Sequence, residues 1–350
     1  MKETNKKKKP IILDIARDGK GISKKAPLNP AGLKRFFMTF KDNFGKLILV
    51  NMIMVLGNFP LLFLIATLSG YTKSIGFMPL NDIGQNLSGL FAIEELGAAN
   101  LSLYALEGMQ ALVFVDTTLT YIFYGIGALT LLTFGIVNVG CAYILRNLAM
   151  GEPVFVFGDF GYAVRRNWKQ AIPFGIVDGL INAILVFNLY TTMTSTSDFI
   201  VSMMFWSNIL LFILYFFMRG YIYVQMVSFD MKVFKILKNS LIFSIVGLKR
   251  NVMALLGCAV LVFLEIFFLF TPGGILLPLA VAMPLIMMFS GAEYMKVFAS
   301  YFKIKEIIID PYKEAHPELY DETEEEEVIM RDDVTEKERL EEIKKKNNMQ

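Results

Sequence analysis

Apolar and polar positions in this chain come in blocks rather than in alternation. Nearly uncharged apolar runs cover residues 47–68, 119–145, 171–190, 199–218, 253–270 and 275–298, and charge gathers at the two ends and in a few connecting stretches. A helix needs about 20 apolar residues, at ~1.5 Å each, to cross a hydrocarbon core. The pattern therefore predicts an all-α polytopic membrane protein with six transmembrane helices. One such run fits a buried helix of a soluble domain; six in one chain do not. The first run begins after 46 residues and lacks a small-residue cleavage site, so it is expected to be retained as an anchor.

A second pattern precedes the first, third and fifth runs. Residues 33–40, 154–164 and 229–245 mix aromatics with spaced polar residues. In the last, Val233, Leu237, Leu241 and Ile245 recur every four positions, while Lys232, Lys235 and Lys238 take another face. That is the period of an amphipathic helix lying in the membrane surface. Each stretch leads to a basic residue shortly before an asparagine (Asn43, Asn167, Asn251), and an apolar run follows at once. Three repeated helical hairpins, each introduced by an interfacial helix, account for this, and so does the shared chemistry of a membrane boundary.

Composition sharpens the class. Hydrophobic residues make up 55% and charged residues 19%, and the mean hydropathy is +0.52. A soluble domain is nearer about 45–50% apolar with about 25% charged. The distribution of charge then sets orientation. Residues 1–46 carry thirteen Lys/Arg, the 69–118 connection only Lys73, the 146–170 connection Arg146, Arg165, Arg166 and Lys169, and 191–198 none. The 219–252 connection carries Arg219, Lys232, Lys235, Lys238, Lys249 and Arg250, and 271–274 none. Basic and non-basic connections alternate, so the positive-inside rule predicts a multi-pass protein of the cell (plasma) membrane with both termini cytoplasmic. Arg165, Arg166, Trp168, Lys169, Lys249 and Arg250 fall where spans leave the cytoplasmic side, and are expected to be interface anchors against lipid headgroups.

Three regions follow. Residues 1–46 form a basic cytoplasmic segment that includes the first interfacial helix, with four lysines at 6–9 suited to anionic lipid. Residues 47–301 form the six-helix domain, with an acidic extracytoplasmic insertion at 69–118 expected to be a small helical cap or a docking surface. Residues 302–350 hold nine basic and sixteen acidic residues and read as a disordered cytoplasmic tail, with a short charged helix near 336–346.

Intramembrane acids are the candidate chemistry. Asp178 lies about seven residues into the third run, ~10 Å deep, and Glu265 about twelve residues into the fifth, ~18 Å deep. No Lys or Arg is expected inside the spans to pair with them. Asn51, Asn58, Asn138, Asn182 and Asn208 are the available hydrogen-bond partners, and Asp178, Glu265, Asn51, Asn138 and Asn182 make the candidate intramembrane polar site. Such acids serve proton relays, cation sites or hydroxyl recognition, or else hold helices together in protonated form. Glu293, close to Lys296 near the inner end of the sixth run, reads as an interface residue. Pro60, Pro278 and Pro284 interrupt spans and free backbone carbonyls.

Other chemistries are disfavoured. The one histidine, His316, lies in the tail, and the chain has no HExxH and no phosphate-binding GxxxxGK[ST] loop. Cys141 and Cys258 lie inside spans. No enzyme activity, metal, cofactor or nucleic-acid partner is expected.

Particular segments resemble the YesL-like family of bacterial integral membrane proteins. They are FFMTFKDNFGKLILVN with NFP at 58–60, GIVNVGCAYILRNLAMGEPVFVFGDFGYAVRRNWKQAIPFGIVDG at 135–179, and FKILKNSLIFSIVGLKRN at 234–251. The resemblance covers roughly 33–68 and 119–300, and leaves out the insertion and the tail. It implies a role linked to carbohydrate transport, because genes of that family neighbour sugar uptake and degradation genes. An accessory or permease-like subunit would bind a sugar in the bundle, and a separate ATPase subunit or other transporter subunits would dock on the 146–170 and 219–252 connections. The alternative is a membrane-embedded scaffold or regulator without transport activity.

Overall fold

The structure is a computed structural model describing residues 31–79, 97–107, 110–195 and 198–315, with a few positions between 82 and 89. The lysines at 6–9 and residues 316–350 of the acidic tail, His316 among them, lie outside the described residues, whereas 302–315, expected to be disordered, are helical. The chain divides into Met1–Lys303 and Ile304–Gln350. In the second unit, the π-helical turn Lys305–Ile309 leads into a helix over Asp310–Ala315.

Among its described residues the first unit is helical apart from one hairpin. Its helices are α1 (Leu33–Asp42), α2 (Phe44–Gly57), α3 (Pro60–Leu68), α4 (Ala98–Glu107), α5 (Thr118–Ala128), α6 (Thr130–Met150) and α7 (Val156–Thr194). They continue with α8 (Phe199–Ser228), α9 (Val233–Val246), α10 (Leu248–Phe270), α11 (Leu277–Met283) and α12 (Phe289–Ile304). Among the described residues five helical stretches are long and apolar enough to cross a membrane, or six if the bent pair α2–α3 is one span. The bundle has the polarity of a membrane protein. Phe199, Phe270 and Phe263 are 76%, 75% and 66% exposed, whereas Asn51, Asp178, Gln225 and Ser290 are fully buried. Apolar side chains face lipid, and polar ones turn to each other.

The first run bends by 57° between α2 and α3. Gly57, Asn58 and Pro60 explain the break. Pro60 starts α3 without an N–H to give back, and Asn58 Nδ2 donates to the Met54 carbonyl. Gly57 lies against Val137, where a Cβ would overlap the valine methyls. The second run is α5 followed by α6, joined through Leu129. α6 is the most enclosed span and crosses α7 at glycine. A Cβ on Gly135 would overlap the Ala171 carbonyl, and one on Gly175 the backbone of Gly135. The two backbones touch, which only glycine permits here.

The GEP sequence after α6 is a helix stop. Gly151 adopts φ 88°, its N–H and that of Glu152 bond back to Asn147 O, and Pro153 follows. Two arginines complete the end-capping. Arg35 of α1 donates to the Ala149 and Met150 carbonyls at 2.8 and 3.0 Å. Arg146 of α6 donates to Val227 O (2.9 Å) and Ser228 Oγ (3.1 Å) at the end of α8. These arginines satisfy terminal carbonyls rather than reaching for phosphates.

Four expectations change. First, the 69–118 insertion is not an all-helical cap. Strands β1 (Ser74–Pro79) and β2 (Gln110–Val115) pair antiparallel, Ile75 opposite Phe114, and α4 lies between them in sequence. The hairpin base is closed by Lys73–Asp116 (3.2 Å) and by Thr117 and Thr120 hydroxyls on Thr72 O. Second, the interfacial helices are α1 and α9, with joints at Asn43 and Gly247, but the middle one is the unbroken start of α7. Asn43 and Asn167 each donate to a carbonyl four residues back, whereas Asn251 accepts from Tyr221 OH and donates to Ser244 O. The three asparagines thus share position without sharing one geometry. Third, α9 buries Ile236, Ser240, Phe243 and Ser244, while Leu241 and Ile245 of the predicted stripe are exposed. In lipid the more apolar face points outward. Fourth, α8 runs on through Ser228, so Arg219 belongs to a span and not to a connection.

Candidate functional site

Arg219 overturns the expectation that Asp178 has no basic partner in the spans. On α8, Tyr215, Arg219 and Tyr223 stand four residues apart and share one face. On α7, Asp178 and Asn182 do the same. The crossing brings the two ladders together. Arg219 Nε lies 2.9 Å from Asp178 Oδ2 and 3.2 Å from Oδ1. Tyr223 OH donates to Oδ2 at 2.5 Å, and Tyr215 OH to Oδ1 at 2.7 Å. Asn182 Nδ2 adds a 2.9 Å bond to Oδ1. Asp178 is fully buried with both oxygens saturated.

A second pair meets the first. Glu293 and Lys296, one turn apart on α12, form an ion pair through Oε2 and Nζ. Glu293 is 2% exposed, so it faces its helix neighbours and not outward. Its Oε2 lies 4.0 Å from Arg219 Nη1, and its Oε1 is enclosed without a hydrogen-bond partner. Gly220 lets α12 approach, because a Cβ there would crowd Ser300 Oγ and Lys296. Aromatic faces cover the cations. Arg219 Cζ lies 4.9 Å from the Phe134 ring centroid and 5.4 Å from that of Tyr223, and Lys296 Nζ lies 5.5 Å from Phe216. Two acids and two bases from α7, α8 and α12 thus form a charge-balanced quartet inside the apolar bundle. Balance is what makes it tolerable, since a lone buried charge costs several kcal/mol.

The expected polar site separates into parts. Of Asp178, Glu265, Asn51, Asn138 and Asn182, only Asn182 joins Asp178. Asn138 bonds to Phe134 O on its own helix. Asn51 reaches from α2 to the π-helical turn Pro284–Met288. Its Nδ2 donates to Pro284 O and Leu285 O, both at 2.8 Å, and its Oδ1 accepts from Ser290 N–H at 3.0 Å. Asn51 therefore takes two carbonyls and one N–H of this turn. Glu265 is half-buried on α10, with Oε2 enclosed and unpartnered. Asn208 ties α8 to α7 through Leu185 O.

The expected anchors are at the surface. Arg165, Arg166, Trp168, Lys169 and Lys249 are exposed, Lys169 lies over the Trp168 ring at 5.9 Å, and Arg250 is half-buried. Among the described residues no cluster of His, Cys, Asp or Glu has the makings of a metal site. Sequence reasoning missed Arg219, which it placed in a connection; the available signal was the helical spacing of Tyr215, Arg219 and Tyr223, which puts them on one face. Set against known proteins, the chain matches no family model, no curated protein and no solved structure.

Proposed function

We propose that this is an integral membrane protein of the plasma membrane, with cytoplasmic termini, acting as an accessory or permease-like component of carbohydrate transport. It is not an enzyme in this reading. The observation that carries it is the quartet of Asp178, Arg219, Glu293 and Lys296, buried where helices face lipid on their other sides. Ionisable groups inside a bundle mark substrate or ion pathways by default. The sugar class comes from the resemblance to YesL-like proteins alone. An ATPase or another transporter subunit would meet the exposed basic surface of Arg165, Arg166, Lys169, Lys232, Lys235 and Lys238. One observation favours a second reading, a scaffold or regulator without transport: Asp178 has no lone pair left for a hydroxyl.

The test is thermal shift of the detergent-solubilised protein over a panel of oligosaccharides. Asp178→Asn, Glu293→Gln and Glu265→Gln are run beside it. A sugar-dependent rise in midpoint that one of these substitutions abolishes supports a substrate site in the bundle. No rise with any sugar, in a protein whose variants remain folded, transfers the reading to the scaffold.

A further inference from the structure

We propose that Arg219 is an exchangeable cation, passed between Asp178 of α7 and Glu293 of α12, and that this exchange is the switch by which the third and sixth spans alternate in their hold on the fourth.

Three features of the quartet carry this. First, Arg219 is under-used. Its Nε–H serves Asp178, while its terminal nitrogens make no hydrogen bond among the described residues and Nη1 points at Glu293 from 4.0 Å. That distance is beyond hydrogen bonding and within the reach of a side-chain torsion. Second, the receiving carboxylate has a free place. Glu293 Oε1 is buried with no partner, and Lys296 occupies only Oε2. Third, the donor carboxylate can let go. Without Arg219, Asp178 keeps Tyr215, Tyr223 and Asn182 as hydrogen-bond donors. In the state described Glu293 Oε1 goes without a partner, and in the other Asp178 keeps three donors but gives up its counter-charge. Each state thus leaves one carboxylate short, and the quartet keeps zero net charge throughout. Two alternative packings of near-equal energy are what a switching element requires.

The exchange deepens the transport reading and rests on it for its purpose. Its test uses no sugar, so a blank sugar screen and a negative result here are separate outcomes. Asp178→Asn is introduced into the natural chain and into the Glu293→Gln/Lys296→Met background, and thermal midpoints are compared in one detergent. In the natural chain Arg219 moves to Glu293 and the loss is modest. In the second background it has no carboxylate to move to, and the loss is about twice as large or more, beyond the additivity expected of independent sites. Equal losses in the two backgrounds overturn the proposal. Should the second background yield no folded protein, spin labels at Tyr190→Cys and Ile275→Cys decide it. Both positions are exposed, and the native Cys141 and Cys258 are buried. Asp178→Asn is expected to shift the label-to-label distance distribution in lipid nanodiscs, and superimposable distributions sink the switch.

Discussion

Replacing Arg219 by methionine removes the cation but keeps most of the aliphatic volume. Asp178 is then left fully buried with three neutral donors and no counter-charge. Breaking a buried ion pair from one side costs about 3–5 kcal/mol, because the orphaned charge keeps its desolvation penalty. An ordinary interhelical hydrogen bond in a membrane protein averages only about 0.6 kcal/mol, since the unfolded helices find other partners. The two magnitudes separate the readings. The assay is reversible unfolding in mixed detergent–lipid micelles, followed by helical circular dichroism. R219M is expected near the upper figure. The double variant D178L/R219M is expected to recover part of the loss, because the orphaned charge is gone while Tyr215, Tyr223 and Asn182 lose their acceptor. A loss for R219M under about 1 kcal/mol, or a double variant worse than the sum of the singles, refutes the claim that charge balance governs this site.

Two predictions concern the frame around it. Asn51→Leu removes the donor to the Pro284 and Leu285 carbonyls and the side-chain acceptor of the Ser290 N–H at the π-helical turn. A cost of about 1–3 kcal/mol for each buried group left unsatisfied is expected to lower the thermal midpoint clearly, without altering the basic surface. Gly135→Val drives a side chain into the Ala171 carbonyl and is expected to block assembly of the bundle, read as loss of the monodisperse peak in size-exclusion chromatography. Gly161→Ala, where nothing lies within 4 Å, is the matched control and is expected to behave as the natural chain.

The spans were legible because long apolar runs have few other uses, and Asp178 stood out as a charge inside one. Its partner did not. Arg219 follows Met218 at the point where charge resumes, and a first charge after an apolar run reads as the water boundary. The helix in fact continues to Ser228, through the buried Tyr223 and Gln225. The stripe on α9 misled for a related reason: Leu241 and Ile245 are apolar because they face outward, while Ser240 faces inward to Gln225. Asn51 was visible as a polar residue, but its role depends on a break 233 residues away. Gly135 and Gly175 carry no side-chain signal at all; their meaning is a distance between two backbones.

The arginine caps have a mechanical consequence. Arg35 fastens α1 to the end of α6, and Arg146 fastens α6 to the end of α8. The three helix ends are spliced in series, each by a guanidinium gripping carbonyls that no other helix residue uses. Val227 lies eight residues beyond Arg219 on the same helix, ~12 Å along its axis. Lifting α1, whose Leu33 and Phe37 stand exposed, would therefore uncap α6 first and slacken α8 second. This rim of the bundle behaves as a latch, and the order in which it releases is written in which residue holds which carbonyl.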